Sequence, residues 1–339
     1  MTFKSEQYIN AFEFKKSLQD NEETKYLVTL SGKPYKHFFK KTYLNLWENI
    51  REDALNYFSV KGIHWHKDTM ENNPETIPEG NMLSSQISCV NHLFLLRKNK
   101  DYAASVLENV GNIFDKKIIS AEIVRDGYGD DGYVEFEAWG TKGNDNPLNE
   151  KSAERERGEK STSVDAVMVG KKDDGNNILI LIEWKYTEDY TENYDRKNKC
   201  RYVARDDYHN SIYTPLLEHS DCPININNFK KPYLPLYYDP FYQLMRQTLL
   251  GWKMAKDYSC DEYIHLHVIP KENKKIQEIT SPDLKSLGKD MSSVWKKLLK
   301  EPFRYKSLSP EELLLPLYNN QDMKDFFNYL KARYLEKYT

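Results

Sequence analysis

The chain has 339 residues, 39% of them hydrophobic, which suffices for one large domain or two modest ones. Its 49 Lys and Arg against 52 Asp and Glu leave a net charge of −3 and a pI near 6.3, which excludes a global basic footprint for nucleic acid. Cys89, Cys200, Cys222 and Cys260 lie far apart without CxxC or Cys/His spacing, which argues against a zinc site and a disulfide framework.

In chain order, residues 1–83 read as a polar, helical extension. Phe38 to Phe58 repeats large apolar groups at three- and four-residue steps, which predicts a helix. His64 and His66 flank Trp65, but with no third ligand in the sequence a packed strand or turn is the expectation. Met70 to Asn81 is a loop by its Pro, Asn and Gly content. Ser84 to Gly111 predicts one or two helices, with Ile87, Val90, Leu93, Phe94 and Leu96 on the apolar side and Gly111 as C-cap. Lys117 to Asp126 and Gly132 to Gly140 alternate as strands. The GYGDDG between them lacks the terminal Glu of a calcium loop and reads as a hairpin turn. Glu137, on the second strand, is a secondary candidate for the site described next. Thr141 to Lys160 is charged and loop-like, with a solvated loop favoured over a flap across substrate.

The next two segments concentrate the chemistry. Asp165 is a lone carboxylate within the β-branched stretch from Val164 to Val169, and Ile178 to Ile182 forms an apolar run suited to a strand buried on both faces. That run continues into Glu183 and Lys185, two apart and therefore on one side of the strand. Asp174-Gly175 between the segments predicts a hairpin, which would make the strands antiparallel and bring Asp165, Glu183 and Lys185 together. Other (D/E)xK triplets occur, such as Glu13 to Lys15 and Asp283 to Lys285, but none follows a five-residue aliphatic run. A same-face ion pair at a strand end is the bland alternative, and it would contribute little.

Val164-Asp165, a gap of 17 residues and then Ile182-Glu183-Trp184-Lys185 resemble the signature of the PD-(D/E)xK nucleases, with Val164 where the family name has Pro. A looser resemblance to restriction endonucleases runs from the Ser84 helix to the His265 strand. It implies an α/β fold: a restriction-endonuclease-like core over 84–273, a mixed sheet flanked by helices, with an insertion at about 187–238 and helical extensions over 1–83 and 274–339. It also implies a hydrolase of DNA phosphodiesters that uses Mg²⁺, with Mn²⁺ also suited, held by Asp165, Glu183 and the main-chain carbonyl of Trp184. Such an ion would polarise the phosphoryl oxygen and lower the pKa of an attacking water. Lys185 would hold that water or offset transition-state charge. On the first core helix many family members carry a Glu that completes the metal site. Here the stretch from Ser84 to Leu96 has no acid, and Gln86 is the chosen stand-in over Asn91 and His92. By analogy with enzymes that cut both strands, a homodimer is a further expectation. RNA or branched DNA as substrate, and a binding module without turnover, are the alternatives.

After the motif, Arg196, Lys197, Lys199, Arg201 and Arg205 interleave with Tyr202 and Tyr208, a pattern suited to nucleic-acid contacts, although interspersed acids also fit an ordinary charged helix. Asp239 to Tyr258 reads as an amphipathic helix opened by Asp239-Pro240. The resemblance makes it the second core helix, with Gln243 first and Arg246 and Gln247 next as groups facing the metal or the scissile phosphate. Asp261 to Asn273 alternates as a strand expected to close the sheet. Residues 281–339 read as helical, and Ser309, Pro310 and Glu312 spell a capping box. No charged-then-apolar leader and no membrane-length apolar run occur, so the cytoplasm and no membrane partner are expected.

Overall fold

Five consecutive aliphatic residues require apolar cover on both faces, and the architecture supplies it. The computed structural model describes residues 1–18, 28–30, 33–66, 77–142, 148, 162–191, 200–201 and 209–338. Helix α1 (Phe3–Ser17) is followed by a two-stranded antiparallel ribbon, β1 (Val28–Leu30) and β2 (Lys33–Tyr35). Helix α2 (Arg51–Lys61) begins later than its apolar periodicity suggests, after short 3₁₀ turns at Thr42–Asn45 and Glu48–Ile50. Tertiary hydrogen bonds override the pattern: Asn91 Oδ1 accepts from Trp47 N at 2.9 Å, and Asn45 donates to the carbonyls of Glu79 and Asn81.

Helices α3 (Ser85–Leu93) and α4 (Lys100–Ile113) are capped by the side chains of Ser84 and Asn99. Gly111 lies inside α4 and is not its cap. A Cβ there would come within 2.4 Å of the Lys116 carbonyl oxygen, so close approach of the chain, not helix termination, requires the glycine.

Strands β3 (Ile118–Glu122) and β4 (Glu135–Ala138) both pair antiparallel with β5 (Val164–Lys172), the first with its C-terminal half and the second with its N-terminal half. They therefore run in the same direction, and the expected hairpin between them is an excursion closed by a Val124–Gly132 bridge and by Tyr133 N donating to the Arg97 carbonyl. Strand β6 (Asn177–Trp184) does form the expected hairpin with β5, turning at Gly175 with φ +87°. Helix α5 (Phe241–Asp257) then crosses to β7 (Glu262–Val268), parallel to β6; Pro240 is its N-cap.

The sheet does not close there. After α6 (Met291–Leu298), β8 (Tyr305–Leu308) adds a further parallel strand, and α7 (Pro310–Leu314) and α8 (Lys324–Tyr334) follow. The segment Tyr305–Leu308 has too few residues to display a period, and a parallel edge strand carries no turn signature. Among the described residues the sheet has six strands, ordered β3-β5-β6-β7-β8 with β4 beside β5.

Alternation then sorts the core. Ile178, Ile180, Ile182 and Trp184 face the cluster built by α2, α3, α4 and the C-terminal helices, while Leu179 and Leu181 face the cluster of α5 and α6. Both faces of the sheet are covered, which marks an α/β architecture.

Candidate active site

Glu183 and Lys185 continue the odd-numbered series that faces α5. Asp165 continues the matching series on β5, where Val167 and Val169 face the same cluster. Ala166 pairs with Ile182, so the next step outward sets Asp165 opposite Glu183. Trp184 N donates to Asp165 Oδ2 at 2.6 Å, and Lys185 Nζ lies 2.5 Å from Glu183 Oε1. The hairpin thus brings the three groups together as expected.

Helix α5 supports them. Gln243 and Gln247 are four apart and share a face. Gln243 Nε2 donates to Glu183 Oε1 at 2.7 Å, and Gln247 Nε2 donates to Oε2. Tyr190 Oη donates to Gln243 Oε1 at 2.9 Å, which fixes the amide orientation. Asn273 holds the segment bearing Tyr190 by donating to the carbonyls of Tyr186 and Glu188. Nothing in the sequence pointed to Tyr190 beyond the tyrosine-rich composition downstream of the motif.

Burial and then the nearby Glu183 raise the Asp165 carboxyl well above the ordinary carboxylate range, with Glu137 adding to the effect and Lys185 and the Trp184 amide opposing it. Burial works against the charge of Lys185, but Glu183, Tyr190, Glu188 and Asp165 outweigh it and hold the ammonium above its usual range. Two acids and one base buried at such a spacing perturb one another strongly, the kind of arrangement found at functional sites.

Gln86 is buried on α3 and acts one strand away from the motif. Its Nε2 donates to Glu137 Oε1 at 2.9 Å, while its Oε1 accepts from His66 N. Ser163 Oγ donates to the other Glu137 oxygen at 2.8 Å. Phe136 and Ala138 pair with Ala166 and Val164, so Glu137 sits beside Asp165 in the register, with φ +47°. A left-handed, non-glycine residue in a strand costs about 1–3 kcal/mol and is held by its surroundings, commonly at functional sites. Trp65, between His64 and His66, is buried and stacks on Phe58 with ring centroids 3.7 Å apart.

Arg246 lies on the same helix, its Nε donating to Thr162 Oγ1 at 2.9 Å and its guanidinium over Tyr242. Arg201 forms an ion pair with Asp239 at 2.6 Å, which offsets the charge proposed for it from sequence. Arg196, Lys197, Lys199, Tyr202, Arg205 and Tyr208 lie outside the described residues, as does most of the charged loop 141–160.

Among the described residues no three His, Cys, Asp or Glu side chains stand preassembled around a metal position. At the motif, both Glu183 oxygens accept hydrogen bonds, from Lys185 and the two glutamines. The donor chemistry still fits a hard cation: carboxylates on adjacent strands, and a buried Gln247 Oε1 without a hydrogen-bond partner beside them.

A family described as REase-ARP, restriction endonuclease associating with ARP, matches residues 13–335. No curated protein and no solved structure matches the chain.

Proposed function

The chain belongs to the restriction-endonuclease family REase-ARP, matched over residues 13–335, and from that premise we propose that it hydrolyses phosphodiester bonds in DNA with a divalent cation, Mg²⁺ or in its place Mn²⁺. The observation that carries the reading is the convergence of Asp165, Glu183 and Lys185 at the end of the fully buried aliphatic run Ile178 to Ile182. Burying such a cluster without a task would be costly.

Asp165, Glu183 and the Trp184 carbonyl would hold the cation. When bound, it supplies Lewis-acid polarisation of the phosphoryl oxygen and a water of lowered pKa. Lys185 holds its proton at neutral pH and places a positive charge where negative charge grows on the reacting phosphate. Gln243 and Gln247 orient Glu183, and Tyr190 orients Gln243. Gln86 and Ser163 hold Glu137 beside Asp165. Arg246 is proposed as a phosphate contact, and Arg196, Lys199 and Arg201 are proposed by their charge as further nucleic-acid contacts.

The test is incubation of purified protein with supercoiled and linear duplex DNA, single-stranded DNA, a branched DNA junction and RNA in Mg²⁺, Mn²⁺ and EDTA. Cleavage of duplex DNA that EDTA abolishes is the expected result. Cleavage confined to RNA or to branched DNA would transfer the chemistry to that substrate. A second reading, an interaction module without turnover, draws on the association with ARP in the family description and on the three donors already held by Glu183. It requires that no polymer be cut, with or without metal, in the presence of that partner.

A further inference from the structure

Behind the Glu183–Lys185 pair lies a buried polar row that the reaction above leaves unused. On β7, His267 pairs in register with Glu183, and His265 pairs with Leu181. Ile264, Leu266 and Val268 fill the core on the α3 side, so alternation turns both imidazoles toward α5 and α6, the side of Glu183 and Lys185. Both histidines are buried, and both nitrogens of His265 and Nε2 of His267 have no hydrogen-bond partner. A buried polar atom left unpaired is destabilising and calls for an explanation.

The polarity of the hydrogen bonds can be worked out along the row. Gln277 Oε1 accepts from both N and Oγ of Ser292, at 3.3 and 2.9 Å. With its proton so directed, Ser292 Oγ can only accept from Tyr305 Oη at 3.3 Å, and the same hydroxyl faces a second acceptor, Met291 Sδ, at 3.7 Å. With the phenol proton spent on that side, its oxygen, 3.1 Å from His267 Nδ1, suits the Nδ1–H tautomer of the imidazole. An imidazole protonated on Nδ1 and kept neutral presents a bare lone pair at Nε2. Full burial disfavours a charged imidazole, which suits that form.

Glu183, by contrast, already holds three donors. Its Oε1 accepts from Lys185 and Gln243, and its Oε2 from Gln247. A cation that takes Oε1 must displace a donor from it, and Lys185 is the one a cation anywhere on the carboxylate repels. We propose that His267 is a positioning residue for Lys185: when a divalent cation takes Glu183, His267 Nε2 accepts the displaced ammonium and keeps it beside the reacting phosphate. This inference rests on the nuclease reading and names the acceptor that reading lacks. A buried ammonium deprived of its carboxylate would otherwise be strongly unfavourable.

The test is Mn²⁺ binding to the full chain without nucleic acid, by calorimetry and by electron paramagnetic resonance, across a double-mutant cycle. His267→Phe is expected to weaken Mn²⁺ binding about tenfold, or about 1.4 kcal/mol. His267→Gln, whose carboxamide oxygen can accept, should recover most of that loss. In a Lys185→Met background, where no ammonium needs an acceptor, His267→Phe should change affinity by less than about twofold. Equal losses in both backgrounds would overturn the proposal and reduce His267 to packing. If His267→Phe does not fold, Tyr305→Phe carries the same comparison: it releases the tautomer and should weaken binding only when Lys185 is present. Wild-type protein that binds no Mn²⁺ overturns the nuclease reading and this inference with it. Wild-type binding with an additive cycle overturns the role of His267 alone.

Discussion

A glutamate at the end of a strand whose five preceding residues are fully buried needs partners, and Glu183 has three, Lys185, Gln243 and Gln247. Lys185→Met is expected to lower the rate of metal-dependent cleavage by about 10²–10³, the scale of losing one preorganised electrostatic contact, with less effect on substrate binding. Steady-state kinetics on a nicked-plasmid assay check this. His265 gives a pH prediction: burial, and then Lys185, push it down from 6.5 to about 3. The unfolded chain therefore takes up a proton as pH falls below 6.5 while the folded chain does not, so stability present above that pH is lost on the way down to about 3. The slope is up to about 1.4 kcal/mol per pH unit. His265→Leu, which sacrifices no hydrogen bond, should flatten that slope in urea titrations of metal-free protein at pH 7, 6, 5 and 4. Asp165, Glu183 and Lys185 were legible because an acid or base inside an apolar strand is conspicuous at the level of sequence. Gln86 was legible as a polar group facing inward, but its partner was not, because Glu137 reaches Gln86 only through tertiary placement.

At the scale of elements, the contact between α5 and the sheet sets the site. A Cβ on Gly251 would lie 2.8 Å from Leu181 Cδ2 and 3.1 Å from Tyr263 Cδ2, so the glycine lets α5 settle onto β6 and β7. Gly251 is one turn beyond Gln247, on the same side of the helix. Gly251→Val is expected to cost about 1–3 kcal/mol of stability by overpacking. By shifting α5 it should also weaken Mn²⁺ binding, although it touches no candidate ligand; chemical unfolding and calorimetry read the two effects. The β5–β6 hairpin and α5 were both legible, one from Asp174-Gly175 and the other from apolar spacing over 17 residues. The same-edge arrangement of β3 and β4 was not, since a turn-rich segment between two strands looks alike whether the chain reverses or continues. The strand β8 escaped because its pairing partner lies 40 residues away in sequence, His265 with Tyr305.

At the scale of the whole molecule, the terminal helices back the motif. Tyr186, one residue past Lys185, donates to Gln7 Oε1 on α1 at 2.7 Å, and the C-terminal Tyr334 hydroxyl accepts from Asn91 on α3 at 2.8 Å. On the far flank, Lys61 is wholly buried and donates to Asp126 at 2.7 Å and to Glu135 at 3.0 Å. Lys61→Met would take the ammonium from two buried carboxylates, leaving Glu135 with Tyr57 and Asp126 with the Tyr128 amide, and is expected to cost about 3–5 kcal/mol, read as a lowered urea midpoint. Such long-range pairs were invisible in the sequence, where only local period and turn chemistry can be read. The most direct measurement of the central claim is nicking of supercoiled DNA by wild type, Asp165→Asn, Glu183→Gln and Lys185→Met in Mg²⁺ and in EDTA. Metal-dependent nicking by wild type that all three substitutions abolish is the predicted result. Nicking that persists unchanged in the three variants would contradict the assignment of these residues as the catalytic centre.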